Sequence, residues 1–124
     1  MAVIYPVTLT LHQGSRDFLG CVRIQYQNIK AGDTCGPIKV SRYADRSVQI
    51  TGTASGATVS IQGTCEDDTN YAVLTAADGL DLSGTTFNRT KFITEVTAYT
   101  KPVITGGDVS TNVTVTFICR GQVA

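Results

Sequence analysis

Tryptophan is absent, methionine and histidine each occur once, and only three prolines appear in 124 residues. With His12 as the sole imidazole, acid–base or nucleophilic catalysis would have to rest on that one side chain or on carboxylates alone. His12 closes an alternating apolar run, which predicts an exposed strand end. An excess of charge of either sign is also lacking, because ten Lys and Arg offset ten Asp and Glu. The counterion release that drives nucleic-acid affinity therefore has no reservoir, and nucleic acid is not an expected partner. The basic residues, Arg23, Arg46 and Arg120 among them, are scattered singly and read as solvated surface. No apolar run approaches the roughly 20 residues of a membrane helix, so no membrane partner is expected. The first eleven residues lack a basic flank and a small-x-small cleavage site, and the expectation is a protein made without an export signal. Five Tyr and four Phe, several of them on core parity, leave little for an aromatic sugar platform.

Motifs for chemistry are equally sparse. There is no Gly-x-Ser-x-Gly elbow, and His12, Ser15 and Asp17 share one turn, which cannot supply the convergent geometry of a triad. Cys21, Cys35, Cys65 and Cys119 have no pair spaced two to four residues apart, which argues against a zinc knuckle. Two disulfides, with three possible connectivities, would need an oxidising compartment. By parity Cys65 follows Val59, Ile61 and Gly63, and Cys119 follows Val113, Val115 and Phe117, so both are expected in the core. Cys21 and Cys35 are expected at the surface. Asp67, Asp68, Asn70, Asp78 and Asp81 place oxygen-bearing side chains in two neighbouring loops, a conceivable calcium site without EF-hand spacing. Gly106-Gly107 opens no helix and reads as a hairpin turn rather than an anion cradle. Asn88-Arg89-Thr90 and Asn112-Val113-Thr114 fit the glycosylation pattern but read as chance matches in a Thr-rich chain. No catalytic, cofactor-binding or metal residue is assigned, and no enzyme activity is expected.

What the chain does have is alternation. Threonine occurs 19 times beside Val, Ile and Tyr, in runs divided by 12 glycines, and that mixture suits pleated, half-buried surfaces. Val3, Tyr5, Val7, Leu9 and Leu11 alternate with smaller or polar residues, and Val113, Val115, Phe117 and Cys119 alternate with Thr114, Thr116 and Ile118. Period two puts each set on one side of a strand, so both ends of the chain are predicted to be strands with one buried face. Phe18 to Ile29 forms a second strand, Ile38 to Tyr43 a third, and Val48, Ile50 and Gly52 line a fourth. Thr58 to Thr64, Tyr71 to Leu74 and Ala98 to Ile104 follow, with Pro102 marking an edge or bulge. Asp78 to Asn88 reads as a surface loop, and Thr90 as the cap of a short helical turn over 91–95. Seven or eight short strands predict one domain over residues 1–124, an all-β antiparallel two-sheet β-sandwich of jelly-roll or Ig-like type.

The stretch Ala57 to Thr75, with its strand ending in Gly63, acidic turn Glu66-Asp67-Asp68-Thr69-Asn70 and following Tyr71-Ala72-Val73-Leu74-Thr75, carries a resemblance. So do Glu95 to Asp108, with Lys101-Pro102 before Gly106-Gly107, and the terminal Thr/Val strand. Together they resemble small β-sandwich structural proteins of tailed bacteriophages. Tyr71 stands where that group more often has Trp, and four cysteines are unusual for it. The resemblance implies a non-catalytic virion component, foremost a capsid cement or decoration protein. Its partners would be the major capsid protein and further copies of itself in a homotrimer, at the capsid surface after assembly in the host cytoplasm. The N-terminal strand and the loop Asp78 to Asn88 are the expected contact elements. A tail- or head-fibre-associated host-recognition module and a secreted, adhesin-like sandwich stapled by Cys21-Cys35 and Cys65-Cys119 are the alternatives.

Overall fold

A computed structural model describes residues 2–15, 18–85, 88 and 90–121, the side chains of residues 14, 15, 18 and 19 excepted. Arg16 and Asp17 of the first expected turn, and Thr86, Phe87 and Arg89 of the later loop, lie outside the described residues. Every helix or strand among those described is a strand. In chain order they are β1 (Val3–Ile4), β2 (Val7–Ser15), β3 (Phe18–Ile29), β4 (Thr34–Cys35), β5 (Ile38–Lys39), β6 (Asp45–Thr53), β7 (Ala57–Thr64), β8 (Ala72–Val73), β9 (Ser83–Gly84), β10 (Lys91–Phe92), β11 (Tyr99–Gly106) and β12 (Asn112–Gly121). Thr90 therefore caps no helical turn. The residues after it, Lys91 and Phe92, pair with β6 instead.

Two sheets face each other as a sandwich. The first has the order β10-β6-β12-β3-β2, and the second runs β5-β11-β7-β8 with β9 also paired to β7. All pairings in these two sheets are antiparallel, while β1 and β4 form a small parallel pair. The alternation of β12 is realised as expected: Val113, Val115, Phe117 and Cys119 are buried, and Thr114, Thr116 and Ile118 are half-exposed. Ile24, Tyr26, Val48 and Ile50 join them from the first sheet, and Val59 and Ile61 meet them from the second. Tyr26 and Phe117 pack edge to face with ring centroids 6.2 Å apart, the arrangement their ring quadrupoles favour.

Three expected elements are reshaped. The third strand keeps only Ile38–Lys39, because Tyr43 N–H donates to Val40 O (3.0 Å) and turns the chain. The segment from Asp78 is no free surface loop: Leu82 is fully buried, its N–H donates to Leu74 O (2.8 Å), and its carbonyl accepts from Ile61 N–H (2.8 Å). Gly106-Gly107 is not a hairpin turn, since β11 and β12 belong to different sheets. It is a corner between sheets, with φ of 71° and 96° that glycine adopts without penalty. Ser55-Gly56 makes a second such corner from β6 to β7. The two corners are tied together: Ser55 Oγ donates to Asp108 Oδ1 (2.7 Å), and Thr111 Oγ1 donates to Ala54 O (3.0 Å).

Pro102 sits where proline is tolerated. β11 pairs with β7 along its whole length, whereas β5 covers only Tyr99 and Thr100 on the other side. Beyond Thr100 that side is an edge, and no ladder hydrogen bond is lost by the missing N–H.

Candidate functional site

The first eleven residues do form strands, but their apolar set is not in the core. Val3, Tyr5, Val7, Leu9 and Leu11 are 54%, 73%, 59%, 47% and 48% exposed. The physical reason lies in the register. Val7 pairs with Gln25 and Leu9 with Arg23, while Thr8 pairs with Ile24 and Thr10 with Val22. Directly opposed residues in an antiparallel pair share a face, and Ile24 is a core residue. The threonines of β2 therefore point to the inner side and the large apolar residues to the outer side, the reverse of the expected sorting. Thr8 and Thr10 are themselves exposed, so the opposing sheet does not reach over β2.

β2 is also an edge. It pairs with β3 on one flank and with no described strand on the other. An unpaired edge offers a row of N–H and C=O groups to any strand laid beside it, and proteins usually blunt such edges with charge or proline. From Val3 to Gln13 this segment holds no Lys, Arg, Asp or Glu. Its two interruptions are Pro6, between β1 and β2, and one bulge: Thr10 pairs with Val22 and His12 with Cys21, leaving Leu11 as the extra residue. His12 is exposed, as the sequence predicts.

The outer face beside this edge is continuous across the first sheet. One row runs Phe92, Ser47, Ile118, Arg23, Leu9, each residue paired with the next. The row beside it runs Gln49, Thr116, Gln25, Val7, with Gln25 Nε2 donating to Thr116 Oγ1 (3.0 Å). On the other side Arg120 Nη2 and Nε donate to Asp45 Oδ2 at 2.7 and 3.1 Å, a solvent-exposed pair. The surface is mixed and carries two concavities, one of about 330 Å³ lined by Arg23, Gln25, Gln49 and Thr116 and one of about 290 Å³ lined by Cys21, Asp45, Phe92 and Arg120.

The start of the chain is clamped beneath this surface. Thr34 N–H donates to Ala2 O and Gly36 N–H to Ile4 O, both at 2.9 Å. The Asp33 carboxylate accepts from Lys30 N–H and Ala2 N–H, both at 2.9 Å, and these bonds hold its pKa below the usual carboxylate range. Tyr5 lies over Gly36 so closely that a Cβ there would stand 2.8 Å from the ring carbons. The carbonyl of Gly36 accepts from the buried Tyr26 hydroxyl (2.6 Å), and burial raises the pKa of that phenol. The outward display of Tyr5 and β2 is thus built on a fixed base.

Other sequence expectations fare unevenly. All four cysteines are free thiols, so neither Cys21-Cys35 nor Cys65-Cys119 is a staple. Cys119 is buried as expected, with its thiol pushed up to about 11 by burial. Cys65 and Cys35 exchange their expected places. Cys65 is exposed because β7 ends at Thr64, and Cys35 is buried beside β1 with its thiol pushed up to about 12. Cys21 is half-buried on the outer face. Asp68 accepts from the Tyr71 hydroxyl (2.6 Å), and Asp78 from Leu80 N–H (3.0 Å) and Lys91 Nζ (3.2 Å). Among the described residues, no three His, Cys, Asp or Glu side chains converge as metal ligands, so Asp67, Asp68, Asp78 and Asp81 do not assemble a cation site here.

Arg46 is the residue whose surroundings the sequence conceals. Expected at the surface, it is 1% exposed on the inner face of β6, in line with Val48 and Ile50. Its guanidinium donates to Thr97 Oγ1 (3.2 Å) and to the carbonyl of Glu95, and Thr97 Oγ1 lies 2.9 Å from Thr100 Oγ1. Nε has no partner, and desolvation lowers the pKa of the group. Burial works to raise the pKa of the Glu95 carboxyl, but bonds from Thr75 N–H (2.8 Å) and Thr94 Oγ1 (3.0 Å) leave it below its ordinary value. Arg46 itself is enclosed, while its partners Glu95 and Thr97 line a cavity of about 520 Å³ together with Gly63, Cys65 and Val73.

No protein-family model matches the chain, and no curated protein matches it. Among solved structures, the crystal structure of the SPBc2 prophage-derived protein YomS is similar, with a TM-score of 0.51 over 94% of this chain and 93% of that one. The fold is shared with a prophage protein. Sequence identity is 14%, so the likeness is one of fold.

Proposed function

We propose that this chain is a non-catalytic structural protein of a tailed-phage virion, a cement or decoration protein that seats on the major capsid protein at the outside of the head after assembly in the host cytoplasm. The observation that carries the reading is β2, an uncharged edge strand with large apolar side chains facing water. A stiff two-sheet body with such an edge is equipped to hold neighbours together. Its outer face extends the contact area toward the roughly 800 Å² per partner of a specific interface, and repeated copies on a lattice turn modest contacts into avidity. The phage-like motifs of the second half of the sequence and the fold likeness to a prophage-derived protein support the same reading.

The test is made on particles. Heads assembled without this chain should release their genome at a lower temperature than complete heads, and adding the purified protein back should restore the difference. Identical release temperatures with and without it would overturn the cement role.

A further inference from the structure

We propose that the groove between β8 and the crossing segment 95–97 receives a lysine side chain from an extended segment of another protein, its alkyl stem against Val73 and Val96 and its ammonium between Glu66 and Glu95. The groove exists because two stretches of chain part company. At one end they are joined, Thr94 N–H donating to Thr75 O (3.0 Å), whereas at the other Ala98 N–H donates to Thr64 O (2.8 Å). β8 and β11 flank β7 on opposite sides, so residues 95–97 cross β7 on the way from one flank to the other. Gly63 makes the crossing possible, since a Cβ there would stand 2.9 Å from Thr97 Cγ2 and 3.1 Å from Leu74 Cδ2. Between the crossing and β8 lies the cavity of about 520 Å³, within the roughly 300–1,000 Å³ of ligand sites.

The walls select the occupant. Val73 and Val96 are 39% and 61% exposed, and they offer apolar surface to an unbranched stem whose charged end stays wet. The charged residues of the lining are Glu66 and Glu95, with no Lys or Arg among them, and neither carboxylate enters an ion pair among the described residues. Two neighbouring cations are already committed. Arg46 is enclosed behind the wall and bonded to the Glu95 carbonyl rather than to its carboxylate, and the Lys101 ammonium sits over the Tyr71 ring, 4.3 Å from its centroid. Asn70 Nδ2 occupies Glu66 Oε2 (2.8 Å), while Thr75 N–H and Thr94 Oγ1 occupy Glu95 Oε1. Neither carboxylate therefore offers the free pair of oxygens that an arginine fork requires. A lysine ammonium, a point charge with three rotatable donors, suits single oxygens.

The groove belongs to the free protein and involves no residue of β2, so its test is separate from that of the cement role. Titrating the isotope-labelled full chain with the blocked tripeptide acetyl-Ala-Lys-Ala-amide at millimolar concentration should shift the amide resonances of residues 72–74 and 95–97 and leave those of β2 in place. The matching glutamate peptide should shift nothing, and the arginine peptide should bind more weakly. Glu66→Gln combined with Glu95→Gln keeps the acceptor oxygens of both side chains but removes the charge, and should weaken the lysine peptide about fivefold. Val96→Lys, at an exposed position, should fill the groove with a resident ammonium and abolish the shifts without altering the β-type circular dichroism spectrum. An absence of shifts in the wild-type chain, equal binding of the glutamate or arginine peptide, or undiminished binding by the double variant or by Val96→Lys would each overturn the proposal.

Discussion

Arg46 and the cysteines show how far single residues depart from their surface or core reputation. Burying a guanidinium with an idle Nε is tolerable only because Thr97 Oγ1 accepts from Nη1 and the Glu95 carbonyl from Nη2. Arg46→Ala should cost about 2–4 kcal/mol, since it strands those acceptors and opens a cavity. Arg46→Met keeps most of the volume without the charge and should cost clearly less. Urea midpoints of the two variants decide the matter, and equal losses would mean that the stranded acceptors, not the cavity, set the effect. Thiol chemistry separates the cysteines in the same way. In the folded protein an alkylating reagent should modify Cys65 rapidly and Cys21 more slowly, and leave Cys35 and Cys119 untouched, because burial withholds both access and the thiolate form. Peptide mapping after a short pulse reads this directly. The sequence could not sort these residues, because parity holds only while a strand lasts. Past Thr64, Asp68 and Asn70 take positive φ of 46° and 57°, and the count of in and out is lost at Cys65.

At the level of elements, alternation was a sound guide to extended structure and a poor one to sidedness. Phe18 to Ile29 emerges with the expected limits, and β12 buries the expected residues. In β2 the same pattern reports the opposite face, since whether a side is wet depends on how far the second sheet extends, and that distance is written in no local stretch. A corner is hidden for a related reason: Gly106-Gly107 reads as a hairpin turn, and only the pairing shows that the chain changes sheets there. The β1–β4 clamp is likewise invisible in sequence, and it is sensitive to acid. The Asp33 pKa is depressed in the folded protein by the bonds from Lys30 and Ala2. Its contribution is therefore present above the unfolded value of about 3.9 and is lost as pH falls through the folded one. Amide exchange at Thr34 and Gly36 should accelerate steeply below about pH 3.9, and Asp33→Asn should flatten that dependence. An unchanged acid profile in Asp33→Asn would assign the clamp to other bonds.

For the molecule as a whole, the legible part was the architecture, two sheets around a Val/Ile core, and the illegible part was the candidate site. The N-terminal strand was expected to make contacts, yet it was also expected to be half-buried, and the sequence does not reconcile the two. The structure does, by placing β2 at the end of the first sheet among the described strands. A second whole-molecule feature bears on how the chain is made. β12 is the middle strand of the first sheet, bonded to β3 on one flank and β6 on the other, yet it is synthesised after every strand it joins. Until the ribosome has passed residue 112, β3 and β6 stand apart with a vacant slot between them, and their inward side chains stay wet. Nascent chains of this protein therefore present their stickiest surfaces until β12 has emerged, and the first sheet closes in one step when it does.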